Sequence, residues 1–230
     1  MARVPLLLGT VALAAALLAT DAYATIQRAV TFDDKVDQAA AIVLGKVVRT
    51  KSQWDPSHRW ILTYSTFTVE QTLKGSAAAE VTVVTPGGTV GDVMQSTIGI
   101  TPFREGDENV VFIKNTTAGP TVLYFDQGAY GVKDDHGEKI VAPVATDAVQ
   151  LDTQRGAIVE PEHPRTLRDF SRNVRDSMQR TANKMALVRN QQRQKPQEAS
   201  LSDTLARYKL LIALALIGTL LATSHFFRHR

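Results

Sequence analysis

Apolar and polar positions alternate along the middle of the chain in short extended segments, and a long apolar run stands near each end. Ala41-Ile42-Val43-Leu44-Gly45-Lys46-Val47-Val48 is nearly all apolar, which predicts a buried strand, and Gly45 inside it predicts a bulge or a sharp bend. Upstream, Thr31 stands where a helix N-cap would, with Asp33 and Asp34 in the first turn, and predicts a short helix. Residues 60–73 are rich in β-branched and aromatic side chains and predict a long strand with one wet face. Lys74-Gly75-Ser76 turns that strand, residues 81–85 form the next, and Pro86-Gly87-Gly88 stops it. Residues 95–100, 109–114, 121–125 and 131–133 continue the series. Asp134-Asp135-His136-Gly137-Glu138 reads as a hairpin tip, with 139–141 returning. Short strands divided by Gly and Pro predict a mainly β domain, either a closed or nearly closed antiparallel barrel or a sandwich.

The periodicity changes at Pro164. Leu167, Phe170, Val174, Met178, Thr181, Met185 and Val188 fall at steps of three and four, the stripe of an amphipathic helix. Arg168, Arg172, Arg175, Arg180, Lys184 and Arg189 stand between them. Such a helix can pack on the barrel, join a partner chain through Leu167, Phe170, Val174 and Met178, or lie on a membrane surface. Residues 191–208 are mostly polar, contain Pro196, and read as a linker.

The two apolar runs set the expected address. Arg3, the apolar stretch 4–19 and Ala22-Tyr23-Ala24 have the three-part layout of a secretory signal, cleaved after Ala24 to leave Thr25 first. An uncleaved anchor is the alternative. Residues 210–227 contain 18 residues with no formally charged side chain. As a helix they extend about 27 Å, enough to cross a hydrocarbon core of about 30 Å. Tyr208 stands at one edge, and Phe226 and Phe227 stand at the other. A buried helix of the soluble domain and a cleaved sorting signal are the alternatives. The layout is a signal peptide at 1–24, a β domain at 25–160 and a basic helix at 161–190. A linker at 191–208, a transmembrane helix at 209–227 and a cytoplasmic tail at 228–230 complete it. The domain is then exported and anchored in the cytoplasmic membrane, on its periplasmic or extracellular side.

Composition narrows the chemistry. The absence of cysteine excludes thiolate catalysis, Cys-ligated zinc, iron–sulfur clusters and disulfides. The net charge of +3 conceals a split. Residues 25–162 carry 12 Lys+Arg against 18 Asp+Glu, and residues 163–195 carry 9 against 2. That asymmetry points to an acidic partner, an anionic surface, or pairing within the chain.

No constellation supports a catalytic assignment. Asp134, Asp135, His136 and Glu138 are the densest set of ligand-type side chains, but they lack the regular oxygen spacing of a hard-metal loop. A turn uses the same residues. His58 and His163 are isolated, and no G-x-S-x-G elbow occurs. Pro86-Gly87-Gly88-Thr89-Val90-Gly91 has no following Lys and suits a turn better than a phosphate loop. Trp54 and Trp60 bracket Asp55-Pro56-Ser57-His58-Arg59. The aromatics and Arg59 form a candidate ligand-facing surface, and the same rings can wedge a hairpin against the barrel.

The strand and turn signatures carry a resemblance. They are 41–47, Trp54, Thr68-Val69-Glu70, Leu73-Lys74-Gly75, Val81-Thr82-Val83, Thr85-Pro86-Gly87-Gly88, Gly91, Phe103, Gly106-Asp107-Glu108 and Val111-Phe112. Over roughly residues 33–144 the chain resembles a widespread group of uncharacterised secreted bacterial proteins. Their domain is similar to the OB-like barrel of netrin and tissue-metalloprotease-inhibitor modules. The resemblance implies fold, an OB-like antiparallel barrel with a short N-terminal helix. It does not imply inhibition, because the inhibitor modules act through an N-terminal cysteine and this chain has none. The expectation is a membrane-anchored binding or scaffold module for a protein or envelope polymer. Its partners are the bilayer and a second envelope protein or another copy of itself, and it uses neither cofactor nor nucleic acid. A metal-dependent or hydrolytic enzyme with its site at residues 134–138 is the rival.

Overall fold

Most of the expected segments pair with a neighbour in sequence, so the computed structural model, which describes residues 25–100, 102–144 and 148–228, is mainly β. The elements are β1 (Thr25–Arg28), α1 (Phe32–Gln38), β2 (Ala41–Trp54), β3 (Ile61–Lys74), β4 (Glu80–Pro86), β5 (Gly88–Val90) and β6 (Val93–Gln95). They continue with β7 (Glu108–Thr116), β8 (Gly119–Val122), a 3-10 turn (Phe125–Gly128), β9 (Ala129–Asp135) and β10 (Glu138–Pro143). The last are β11 (Ala148–Asp152), β12 (Ala157–Ile158), β13 (Arg165–Thr166) and α2 (Leu167–Arg228). The signal sequence expected at 1–24, Ala24 included, lies outside the described residues, as do residues 229–230 of the expected tail.

The main sheet runs β13-β10-β9-β7-β2-β3-β4. β7 pairs β9 with its first half and β8 with its second. Of the closed or nearly closed barrel and the sandwich that were expected, the closed form is absent: no ladder joins β8 to β4 among the described residues. Instead Thr121 Oγ1 donates to the Val84 carbonyl at 2.7 Å. The reason is local. β8 has four residues, and its Pro120 carries no N–H to donate. Three short strands lie apart as β1-β11-β12, with β1 and β11 parallel, and β5 pairs only β6. The expected pairing at 95–100 lies upstream instead, at Val93–Gln95.

Residues 41–45 of β2 and 109–113 of β7 are buried on both faces, which is why these stretches read as mostly apolar runs rather than alternating ones. Ile42, Leu44, Val110 and Phe112 join Val36, Tyr130, Phe170 and Val174 in one core. Ala41, Val43, Val47, Val111 and Ile113 join Phe67, Val83 and Phe103 in the other. Gly45 sits at a register shift of the β2–β3 ladder, where a Cβ would meet the Thr68 carbonyl oxygen at 2.7 Å. The expected bulge is therefore there, and only glycine fits it.

Thr31 caps α1, accepting from the Asp34 N–H at 3.1 Å. Lys74 closes the other end by donating to the carbonyls of Val36, Asp37 and Ala39. α2 begins on Thr166, whose Oγ1 accepts from the Asp169 N–H at 3.1 Å and donates to the Asp169 carboxylate. Its stripe divides: Phe170 and Val174 are fully buried and Leu167 packs beside them, but Met178, Met185 and Val188 are exposed. The chain accordingly forms two units, Met1–Ser177 and Met178–Arg230. The backbone of 191–208 is helical where a linker was expected. Among the described residues no helix is long and apolar enough to cross a membrane. Most side chains of the span expected at 209–227 lie outside the described ones, and its backbone is helical through Arg228.

Candidate functional site

α1 buries two of its seven residues, Lys35 and Val36. Lys35 is 4% exposed and lies over the ring of Tyr130 with Nζ 5.1 Å from the centroid. Its Nζ donates to Tyr130 Oη at 2.5 Å and to Glu162 Oε1 at 2.6 Å. Tyr130 Oη in turn donates to Glu162 Oε1 at 2.9 Å. Glu162 Oε2 accepts from Arg165 Nη2 at 2.8 Å, and the Arg165 guanidinium lies over the rings of Phe32 and Phe170. Phe32, Phe112, Tyr130 and Phe170 meet edge-on or tilted around this network. Burial lowers the pKa of Lys35, and the adjacent Glu162 carboxylate opposes that effect without cancelling it. Burial raises the Tyr130 pKa well above the usual phenol value, and Glu162 raises it further.

Lys35, Tyr130 and Glu162 open onto a pocket of about 440 Å³ beneath β11 and β12. Pro143, Val144, Val149, Ile158, Val159 and Pro161 supply its apolar wall. Asp126, on the 3-10 turn, also lines it. That carboxyl is 2% exposed, and neither oxygen has a hydrogen-bond partner among the described residues. Buried polar groups are nearly always paired, so an unpaired carboxyl on a pocket wall is a candidate binding position. Gln127 fixes the turn, accepting from the Val30 N–H at 2.9 Å and donating to the Arg28 carbonyl at 3.0 Å.

The sites expected from sequence lie elsewhere. Residues 134–138 form the β9–β10 hairpin, with His136 and Gly137 at φ 53° and 87° as a two-residue turn requires. Asp134 Oδ1 accepts from the Gly137 N–H at 2.8 Å. His136 is solvent-exposed, and no group of three or more ligand-type side chains gathers for a metal among the described residues.

Trp54 ends β2 and stacks on His58 at 6.4 Å, while Trp60 is 62% exposed and does not wedge against the sheet. Arg59 is exposed beside it. Asp55 organises this tip. Its pKa falls to about 2 because it accepts from the Ser57 hydroxyl and from the N–H groups of Trp60 and Arg59. The tip is thus an exposed aromatic loop held by Asp55, and the cavity with the buried charges belongs to residues the sequence reading did not single out. Of the candidate partner-helix residues, Leu167, Phe170 and Val174 pack within their own unit, and Met178 is exposed. Thr25 opens β1, paired with Ala148.

No known protein family, no curated protein and no solved structure matches the chain. The site is therefore read from its own geometry.

Proposed function

We propose that the chain is an exported, membrane-anchored binding module that holds part of a protein or envelope polymer in the Lys35–Asp126–Tyr130–Glu162 pocket. In this reading residues 1–24 are removed after Ala24, and residues 209–227 span the cytoplasmic membrane. The β domain then stands on the outer side. The charge-free stretch 210–227 supports the anchor. The curl of β4-β3-β2-β7-β8, with Thr121 bridging its gap, supports the likeness to an OB-like barrel.

The observation that carries the binding role is the unpaired Asp126 carboxyl on the pocket wall. A purely structural cavity has no use for it, since an unsatisfied buried carboxyl costs stability. Binding is favoured over catalysis because the Lys35 Nζ is held by Tyr130 and Glu162 and is not left free as a nucleophile. The enzyme reading at residues 134–138 draws no support from an exposed turn.

A photo-crosslinking residue placed at Ile158, on the exposed rim, tests this in cells. An envelope adduct is expected, and it should disappear when Val144→Trp fills the pocket. No adduct, or an adduct indifferent to Val144→Trp, contradicts the proposal.

A further inference from the structure

We infer that the pocket selects a ligand with a compact ammonium group on an apolar body, and that Asp126 is the acceptor for that group. The inference rests on the binding reading above and adds the ligand's chemical class.

Three observations converge. First, both oxygens of a nearly fully buried carboxyl lack a hydrogen-bond partner among the described residues. Lys35 is the neighbouring cation, but its recorded bonds go to Tyr130 and Glu162 rather than to Asp126. A ligand donor is what the carboxyl lacks.

Second, the fold goes to conformational expense to place it. Tyr124 and Phe125, directly before Asp126, both adopt left-handed backbone, at φ 55° and 58°. Two bulky residues in succession there cost free energy unless their surroundings impose it. Those surroundings are present. The Asp126 N–H donates to the Gly99 carbonyl at 3.0 Å. At Gly128 a Cβ would meet the Leu123 carbonyl oxygen at 2.0 Å, so that position admits only glycine. Strain held next to an unpaired buried group is the arrangement expected of a binding position.

Third, the wall selects charge and body. Among the described residues the charged groups lining the pocket are Lys35, Asp126 and Glu162, and Glu162 is already shared between Lys35 and Arg165, which leaves Asp126 as the carboxyl with no ion-pair partner. An unpaired carboxyl facing the pocket disfavours an anion and favours a cation. Val144, Val149 and Ile158 give its apolar portion a surface, and about 440 Å³ suits a small molecule or a side-chain terminus.

The test uses the full chain in detergent, with methyl resonances of Val144, Val149 and Ile158 followed by NMR. Three probes of equal body are titrated: n-butylammonium, 1-butanol and butyrate. Butylammonium should bind at least tenfold more tightly than butanol, and butyrate should not bind. Asp126→Asn should remove the tenfold preference. The selectivity among the three probes is read on the unmodified chain and so does not depend on the variant folding. Equal binding of butylammonium and butanol would overturn this inference and leave the binding pocket standing. Preference for butyrate would overturn it by making Lys35 the recognition group. If no probe perturbs these methyl groups, both the inference and the pocket's binding role fail.

Discussion

Phe170→Asp is expected to leave the β-rich unit without a cooperative thermal transition. Phe170 is fully buried, with ring centroids at 5.0 Å from Tyr130 and 5.5 Å from Phe32. It seals α2 against the core that also contains Ile42, Leu44 and Phe112. Truncating such a ring to alanine costs about 3–5 kcal/mol through lost transfer energy and an unfilled cavity. Aspartate adds an unpaired charge in an apolar seam. Domains of this size are stable by only about 5–15 kcal/mol, so the sum approaches or exceeds the total. Met178→Asp, two helical turns on, should shift stability by no more than about 0.5 kcal/mol, because Met178 is exposed. Near-UV circular dichroism during heating separates the two variants. Equal losses would mean that the apolar stripe acts as one seam along α2. Added salt should change the melt little, since exposed pairs such as Arg172–Asp169 contribute about 0–1 kcal/mol.

Glu162→Ala should be nearly as damaging, for an electrostatic reason. It leaves Lys35, whose side chain is 5% exposed, without the carboxylate that its ammonium bonds. Removing one partner of a buried pair costs about 3–5 kcal/mol. Partial exposure of Glu162 places the value near the lower end. Because burial already holds the Lys35 pKa below its usual value, the loss has a pH signature. Between the lowered folded pKa and the unfolded value of 10.5, the unfolded chain binds more protons than the native one. Lys35's contribution to stability therefore rises with pH across that window. Removing Glu162 lowers the folded pKa further and widens the window. The deficit of Glu162→Ala relative to the parent should thus be largest near neutral pH and shrink as pH approaches 10. Tyr130 acts in the opposite sense in the parent, its raised pKa making the native state lose stability as pH climbs beyond 10. A second change, Lys35→Met, should recover much of the loss by removing the stranded charge. Urea melts at pH 7 and pH 9.5 on the single and double variants check this. A deficit that grows with pH would show that the Lys35–Glu162 pair has been misjudged.

What the sequence reveals is local, and what it conceals is long-range. The α1 cap at Thr31, the bulge at Gly45 and the turn at His136 and Gly137 are each specified by a few adjacent residues. The two-faced burial of residues 41–45 and 109–113 shows as mostly apolar runs. The candidate site shows nothing comparable. Lys35 meets Tyr130 across 95 residues and Glu162 across 127, and no spacing rule links a lysine on one short helix to a glutamate between two prolines. Asp126 follows no motif, and its signal is the missing partner, which only coordinates show. The parallel pairing of β1 with β11 is hidden for the same reason. The end of the packed stripe at Ser177 is hidden as well, because Met178, Met185 and Val188 keep the same period as Phe170 and Val174.

Export with the β domain outside is the premise of the proposed role, and topology tests it most directly. In cells with a permeabilised outer layer and an intact cytoplasmic membrane, externally added protease should digest the β domain and spare an epitope fused after Arg230. Mass spectrometry of the undigested protein should find Thr25 at its N-terminus. A β domain reached only after the cytoplasmic membrane is broken, still carrying Met1, would contradict both the address and the binding role built on it.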